Sequence, residues 1–372
     1  MNIPFMDLNN QISEIRDEID QVINNVISKA EFINGEYNTL FCEAFAKYLN
    51  VKHCIGVGNG TDALEIALKA LGINSDDEVI VPANSFVATA EAVTNVGAKV
   101  VFADCKEDDF TINTDDIIKK ITKKTKVIIP VHLYGYPADM DEIMQIAKDN
   151  NLFVLEDAAQ AHGAKYRDIK VGTIGHIGAF SFYPGKNLGA FGDAGAVVTN
   201  NPDLAHKIKL ISNHGRIDKY NHLIEGRNSR MDNLQAAVLC IKLKYLSDWN
   251  VKRRMNAIAY DQFFDNLFKT PKKEPEYKDK IKLSSCHLYV IKTNQRRALM
   301  HFLSQNGIAT MIHYPTALPY LKAYDYLNHK PEDFPVAYEN QSQILSLPMY
   351  PELTKDQIIY ICDKIEKFFA KK

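Results

Sequence analysis

The chain has 372 residues, 46% of them hydrophobic, 24% charged and 10% aromatic, and at about 150 residues per domain it is long enough for two. That balance excludes a disordered chain, a collagen and a low-complexity scaffold. Lys and Arg number 44 and Asp and Glu 46, a net charge of −2 that gives no electrostatic reason to bind nucleic acid or an anionic membrane surface.

The opening Met1-Asn-Ile-Pro-Phe-Met-Asp-Leu-Asn-Asn-Gln11 has no basic n-region and no apolar h-region, so no signal peptide is expected. Ile12, Ile15, Ile19, Val22, Ile23, Val26 and Ile27 share one stripe, which predicts an amphipathic helix over 12–30. A second helix is predicted over 36–49. Short apolar runs at 54–57, 78–82, 99–103, 126–131 and 152–155 then read as buried parallel strands. Helical stretches at 61–71, 85–96 and 139–150 separate them, and this alternation predicts a doubly wound α/β domain. In such a sheet the ligand sits at the carboxyl ends of the strands. A long, bent helix over 231–266 leaves this domain. A charged, Pro-containing loop at 270–280, strands near 285–292 and 308–313, and helices near 295–306 and 354–370 predict a smaller α+β domain. The division is drawn at 1–245 and 246–372. The six cysteines lie at least twelve residues apart, which leaves no CxxC motif, no expected metal and free buried thiols as the reading. No apolar run is long enough to span a membrane, and the cytoplasm is the expected compartment.

Three segments can carry chemistry. Gly56-Val-Gly-Asn-Gly-Thr61 follows a strand and opens a helix. It reads equally as a tight turn or as a phosphate cradle of backbone N–H groups. It fails the dinucleotide fingerprint, because Thr61 stands where the third glycine is needed. In Leu155-Glu-Asp-Ala-Ala-Gln-Ala-His162, Asp157 falls at a strand end, placed either to bind a ligand or to cap the next turn. In Gly178-Ala-Phe-Ser-Phe-Tyr-Pro-Gly-Lys-Asn-Leu-Gly-Ala-Phe-Gly-Asp-Ala-Gly195, Lys186 is set among glycines and aromatics too apolar for a solvated lysine. A desolvated amine has a lowered pKa and can form a Schiff base with a carbonyl cofactor. Such a cofactor needs an amine, a phosphate cradle, an acid for a ring nitrogen and an aromatic face. Lys186, Gly60 and Thr61 with Ser181, Asp157 and Phe86 meet those needs, all near strand ends.

With these residues in view, the sequence resembles the DegT/DnrJ/StrS family of pyridoxal-phosphate sugar aminotransferases, of the fold type I, aspartate aminotransferase-like architecture. The resemblance runs from Ile3-Pro-Phe-Met-Asp-Leu8 through Gly58-Asn-Gly-Thr-Asp-Ala-Leu64, Glu156-Asp-Ala-Ala-Gln160, Ser181-Phe-Tyr-Pro-Gly-Lys186 and Asn228-Ser-Arg-Met-Asp-Asn-Leu-Gln-Ala-Ala237 to His313-Tyr-Pro315. It implies a large doubly wound domain and a smaller C-terminal one. It implies Lys186 as the Schiff-base lysine, Asp157 at the pyridine nitrogen and Gln160 at the phenolic oxygen. Ser181, Gly60 and Thr61 would hold the phosphate and Phe86 would stack on the ring. Asn228 would reach the phosphate of a partner subunit, which implies a homodimer with shared sites. Tyr183, His313 and Tyr314 would surround a 3-keto hexose.

Lys186-Asn-Leu-Gly-Ala-Phe-Gly-Asp-Ala-Gly195 and Asn213-His-Gly215 resemble the branch that aminates carbon 3 of a dTDP-3-keto-6-deoxyhexose from L-glutamate, with pyridoxamine phosphate as the intermediate form. The alternatives are a 4-keto or UDP-linked sugar aminotransferase, a sugar dehydratase, a non-catalytic regulator and a nicotinamide oxidoreductase. Lys186 speaks against the dehydratase, whose lysine is lost. Arg230 is the candidate for a substrate carboxylate, with a nucleotide phosphate or a structural ion pair as its other readings. His162 either tunes the cofactor or is a satisfied core histidine, and His132 is read as packing or hydrogen bonding.

Overall fold

The computed structural model describes residues 1–267 and 283–370; the loop expected at 270–280 lies outside them. The first helical stretch is two helices, α1 (Leu8–Glu14) and α2 (Arg16–Lys29). They part at Ile15, whose φ of −122° and ψ of 15° leave the helical region. The stripe is buried at Ile15, Ile19, Val22 and Val26, whereas Ile27 is exposed. Then follow α3 (Glu36–Leu49), β1 (His53–Val57), α4 (Gly60–Ala70), β2 (Glu78–Pro82), α5 (Ala88–Asn95), β3 (Lys99–Ala103), α6 (Thr114–Lys120), β4 (Thr125–Ile128), α7 (Met140–Asp149) and β5 (Phe153–Asp157). A short ribbon, β6 (Lys165–Tyr166) with β7 (Ile169–Lys170), precedes β8 (Ile177–Ser181), β9 (Gly195–Thr199) and α8 (Pro202–Ser212).

Seven strands form one sheet in the order β1-β9-β8-β5-β4-β2-β3. β2, β3, β4, β5 and β8 pair in parallel, and β9 runs antiparallel to both of its neighbours. The stretch 54–57, expected as a buried parallel strand, is therefore an edge strand against a reversed one, and four residues of β1 are only half-buried. The sequence pattern hides β9 because its five buried residues follow directly on the glycine-rich lysine segment. β2, by contrast, is buried throughout, as a central parallel strand requires.

Helix α9 (Asn233–Leu267) runs 35 residues, and the proposed division at residue 245 falls within it. Beyond it stand β10 (Tyr289–Lys292), α10 (Arg296–Gln305), α11 (Pro335–Gln343), β11 (Ile344–Leu347) and α12 (Lys355–Ala370), with β10 and β11 paired antiparallel. The expected strand at 308–313 is reduced to single bridges, Ile308 to Ile3 and Met311 to Ser346. Its pairing is split between two partners, so no ladder forms. Ala317, Leu318, Tyr324, Phe334 and Ala337 pack into the core around α4 and the sheet, not into the C-terminal core. Among the described residues no helix is long and apolar enough to cross a membrane and no side-chain group could hold a metal ion. All six cysteines are free, and Cys105, Cys286 and Cys362 are buried.

Candidate active site

The carboxyl ends of β1, β2, β5 and β8 bring the sequence candidates to one end of the sheet. After β1, Asn59 caps α4 by accepting the Asp62 N–H at 2.8 Å. That leaves the N–H groups of Gly60 and Thr61 at a positive helix end. Gly60 lies against Ser181 so closely that a Cβ there would sit 2.5 Å from the Ser181 Cβ. Only glycine brings this backbone to the end of β8, beside the Ser181 hydroxyl, which accepts the Tyr183 N–H at 3.3 Å.

Asp157 ends β5. Its carboxylate accepts the Thr89 hydroxyl at 2.8 Å and the Ala159 N–H at 3.1 Å. Thr89 in turn meets the Ser85 hydroxyl at 2.9 Å. Burial raises the Asp157 pKa, opposed by the Thr89 and Ala159 hydrogen bonds and by the charge of Lys186. A cationic ring nitrogen is the kind of partner such a carboxylate lacks. Gln160 is buried, its Oε1 accepting the Tyr134 N–H at 2.7 Å and its Nε2 donating to the Tyr314 hydroxyl at 3.0 Å. One Nε2 proton is left over.

Lys186 sits in the loop after β8, its own N–H bonded to the Tyr183 carbonyl at 2.8 Å. Part of the side chain stays accessible, yet enclosure of the amine lowers its pKa to about 8, against the opposing pull of Asp157. The Lys186 charge also bears on three histidines whose pKa values burial lowers: His162 to about 3, His313 to about 4, and His287 well below its ordinary value. His162 is buried against the Phe180 and Phe182 rings, and a hydrogen bond with the Ser181 backbone opposes the lowering of its pKa. His313 meets the Ser346 hydroxyl at 2.8 Å and stacks on Phe5. Its carbonyl accepts the Tyr134 hydroxyl. Phe86 and Tyr183 stand exposed at the rim, and Phe86 lies 5.7 Å from the Tyr314 ring.

Asn228 and Arg230 make their contacts elsewhere. Asn228 is exposed and bridges to Asn213. Its neighbours are tied down: Arg227 pairs with Asp62 and Glu65, and Ser229 joins the Gly58 N–H to the Asp62 carboxylate. The Arg230 guanidinium donates to the Asn213 Oδ1 at 3.2 Å. It lines a groove of about 670 Å³ along α3, β1 and α8 with Lys52, His206 and Lys209. His132 behaves as read. Its Nδ1 accepts the Ala138 N–H, so Nε2 carries the proton and donates to Glu156 at 2.9 Å. The sequence reading missed Thr89, Asn187 and His287, whose partners lie 63 to 100 residues away for the last two and 68 for Thr89.

A doubly wound sheet with an enclosed lysine, a buried acid and an open helix N-terminus at its strand ends suits a transferase that uses a phosphate-bearing carbonyl cofactor. The chain belongs to the DegT/DnrJ/EryC1/StrS aminotransferase family, whose model matches residues 13–366. It is 42% identical to the "Pleiotropic regulatory protein" of Geobacillus stearothermophilus, over 99% of both chains. It is 40% identical to the dTDP-3-amino-3,6-dideoxy-alpha-D-galactopyranose transaminase of Aneurinibacillus thermoaerophilus, over 98% of this chain and 99% of that one. Other matched relatives are named for UDP- and GDP-linked sugars. Among solved structures, Streptomyces venezuelae DesV in complex with a ketimine intermediate superposes with a TM-score of 0.93, at 39% identity over 99% of this chain and 98% of that one. The protein is thus a sugar aminotransferase that uses pyridoxal phosphate.

Proposed function

We propose that the protein moves the amino group of L-glutamate to carbon 3 of a dTDP-3-keto-6-deoxyhexose, giving a dTDP-3-amino-3,6-dideoxyhexose for surface glycan biosynthesis such as O-antigen. The observation that carries this reading is Lys186, an enclosed amine of pKa about 8 within the field of a buried Asp157. The likeness of the whole chain to a dTDP-3-amino-3,6-dideoxyhexose transaminase supports the choice of sugar.

Bound pyridoxal phosphate supplies a carbonyl for amine exchange and a ring that accepts an electron pair. On this reading Ser181 and the N–H groups of Gly60 and Thr61 hold its phosphate. Asp157 holds the ring nitrogen, the spare Gln160 proton meets the phenolic oxygen, and Phe86 covers the ring. Burial lowers the Lys186 pKa to about 8, which raises the share of neutral amine at neutral pH above that of an ordinary lysine. The Lys186 Nζ would take a proton from the α-carbon of glutamate and pass it to the cofactor's carbonyl-derived carbon, and in the second half-reaction would move a proton from that carbon to carbon 3 of the sugar. Tyr183, His313 and Tyr314 face the sugar. His313, its Nδ1 held by Ser346, stays uncharged at neutral pH and offers a hydrogen bond, not a charge. Arg230 is assigned to a substrate carboxylate or phosphate. Asn228, exposed between two clamped neighbours, is assigned to the phosphate of a second copy, and we assign a homodimer with shared sites acting in the cytoplasm.

The test is the visible spectrum of the purified protein with added cofactor, followed by addition of L-glutamate and then of the keto sugar. A band that bleaches with glutamate and returns with dTDP-3-keto-6-deoxyhexose is expected. Bleaching that is reversed only by a UDP-linked or 4-keto sugar would replace the substrate with the one those relatives suggest. A band that never forms would overturn the reading.

A further inference from the structure

Lys186 lies in neither a helix nor a strand, so no regular ladder of hydrogen bonds fixes it. The loop is closed by two backbone bonds, Lys186 N–H to the Tyr183 carbonyl and Ala190 N–H to the Phe182 carbonyl. The next residue, Asn187, is 2% exposed and uses its whole amide. Its Nδ2 donates to the Asn250 Oδ1 at 2.9 Å and to the Ser285 carbonyl at 2.8 Å, and its Oδ1 lies 3.1 Å from the His287 Nδ1. Two carbonyl acceptors on one side settle which way the amide points. His287 must then carry its proton on Nδ1 and donate.

The same anchors hold the chain on the other side of the site. Asn250, in α9, donates through Nδ2 to the His162 carbonyl at 2.7 Å, and the Ser285 hydroxyl donates to the Gln160 carbonyl at 3.2 Å. Ser284 donates to the Gly135 carbonyl at 2.8 Å, beside Tyr134, which binds Gln160. The loop bearing Lys186 and the loop running from Asp157 to His162 are therefore set against one frame, built from α9 and the segment 284–288. Two guanidiniums of α9 brace that frame: Arg253 donates to the Cys286 and His287 carbonyls and Arg254 to the Ser284 carbonyl, whereas the groups that meet Asn187 itself are an amide, a backbone carbonyl and an imidazole.

We infer that Asn187 is a positioning residue for Lys186: by joining the lysine loop to Asn250, Ser285 and His287 it fixes the distance between the amine and the Asp157–Gln160 segment. The inference rests on the reading of Lys186 as the amine that meets the cofactor. It predicts that small losses of register at Asn187 appear at Lys186, which Asn187 does not itself need to touch. A misplacement on the order of 1 Å costs about 10²-fold in rate.

The test compares wild type, Asn187→Ala and Asn250→Ala. In the apoprotein the pKa of Lys186 is read by competitive acetylation across pH with mass spectrometry of the lysine peptide. The groups that bear on it are Asp157, His162, His287 and His313. A wild-type value near 8 is expected, moving toward the ordinary lysine value by about one unit in both variants as water reaches a loosened loop. In the holoenzyme kcat is expected to fall about 10²-fold with KM for L-glutamate within about threefold. The double variant should lose no more than the worse single one, because both act through one frame. If Asn187→Ala does not fold, Asn187→Ser and Asn250→Ala carry the same two readouts. Folded variants with an unchanged lysine pKa and kcat within about twofold overturn the inference. Lys186→Ala separates the two levels: if it abolishes the cofactor band while the Asn187 variants are unaffected, only the inference fails, and if the band persists, the reading of Lys186 fails.

Discussion

Glu156 and Asp157 are consecutive residues of β5, both buried carboxylates, and they do opposite things. Neighbouring residues of a strand point to opposite faces. On one face Glu156 is saturated, accepting from the His132 Nε2 and from the N–H groups of Gly172, Ile174 and Gly175. It ties the loop before β8 to the loop after β4. On the other face Asp157 has one hydroxyl and one backbone donor, and burial pushes its pKa up. A satisfied buried acid is a structural joint, and an under-satisfied one at a strand end is a site waiting for a cation.

The comparison can be broken most severely at the amine that Asp157 faces. Lys186→Ala should lower turnover by about 10⁴-fold or more while the chain stays folded; steady-state transamination near the wild-type rate would remove the assignment. Next, Glu156→Ala should cost about 3–5 kcal/mol in denaturant unfolding, because it leaves four buried donors unpaired. A loss under about 1 kcal/mol would mean that Glu156 is no joint.

Asp157→Asn should separate the two acids. Turnover is expected to fall about 10²- to 10³-fold, with apoprotein stability at neutral pH unchanged or higher. The sign follows from linkage. A folded-state pKa raised above the unfolded value means that the folded chain holds the proton more tightly, so wild-type apoprotein gains stability as pH falls through the folded pKa. The variant should lose that gain in a comparison of thermal midpoints across the acid range, and identical profiles would count against a strained Asp157. The smallest effect is expected at the rim. Tyr183→Phe or His313→Asn should slow the sugar half-reaction about tenfold and leave the glutamate half-reaction nearly intact, measured by single-turnover absorbance. Equal losses in both halves would dismiss the sugar-site reading.

Much of the site was legible because its residues sit where local pattern points. Asp157, Ser181 and Gly60 each end or follow an apolar run, and such runs mark strand ends without any tertiary information. The glycine at 60 was legible as a turn, but its purpose was not: the 2.5 Å approach to Ser181 joins residues 121 positions apart. The reversed strand β9 escaped because its apolar residues adjoin a glycine-rich loop and direction leaves no mark on composition. Thr89, Asn187 and His287 escaped for a related reason. A polar side chain becomes functional by what it meets, and their partners come from distant stretches of chain.

The alternation of apolar runs and helical stretches thus determined the α/β class, and the residues at the run ends determined the chemistry to look for. Both are local properties, set by side-chain period and by where a strand stops. Only the tertiary structure decided which of two adjacent carboxylates is spent on the fold. Only it decided that His162 packs against Phe180 and Phe182, and that the lysine loop hangs from α9 and the segment 284–288. Burial and hydrogen-bond satisfaction belong to the packed chain, because each depends on groups that only folding brings within about 3 Å of one another.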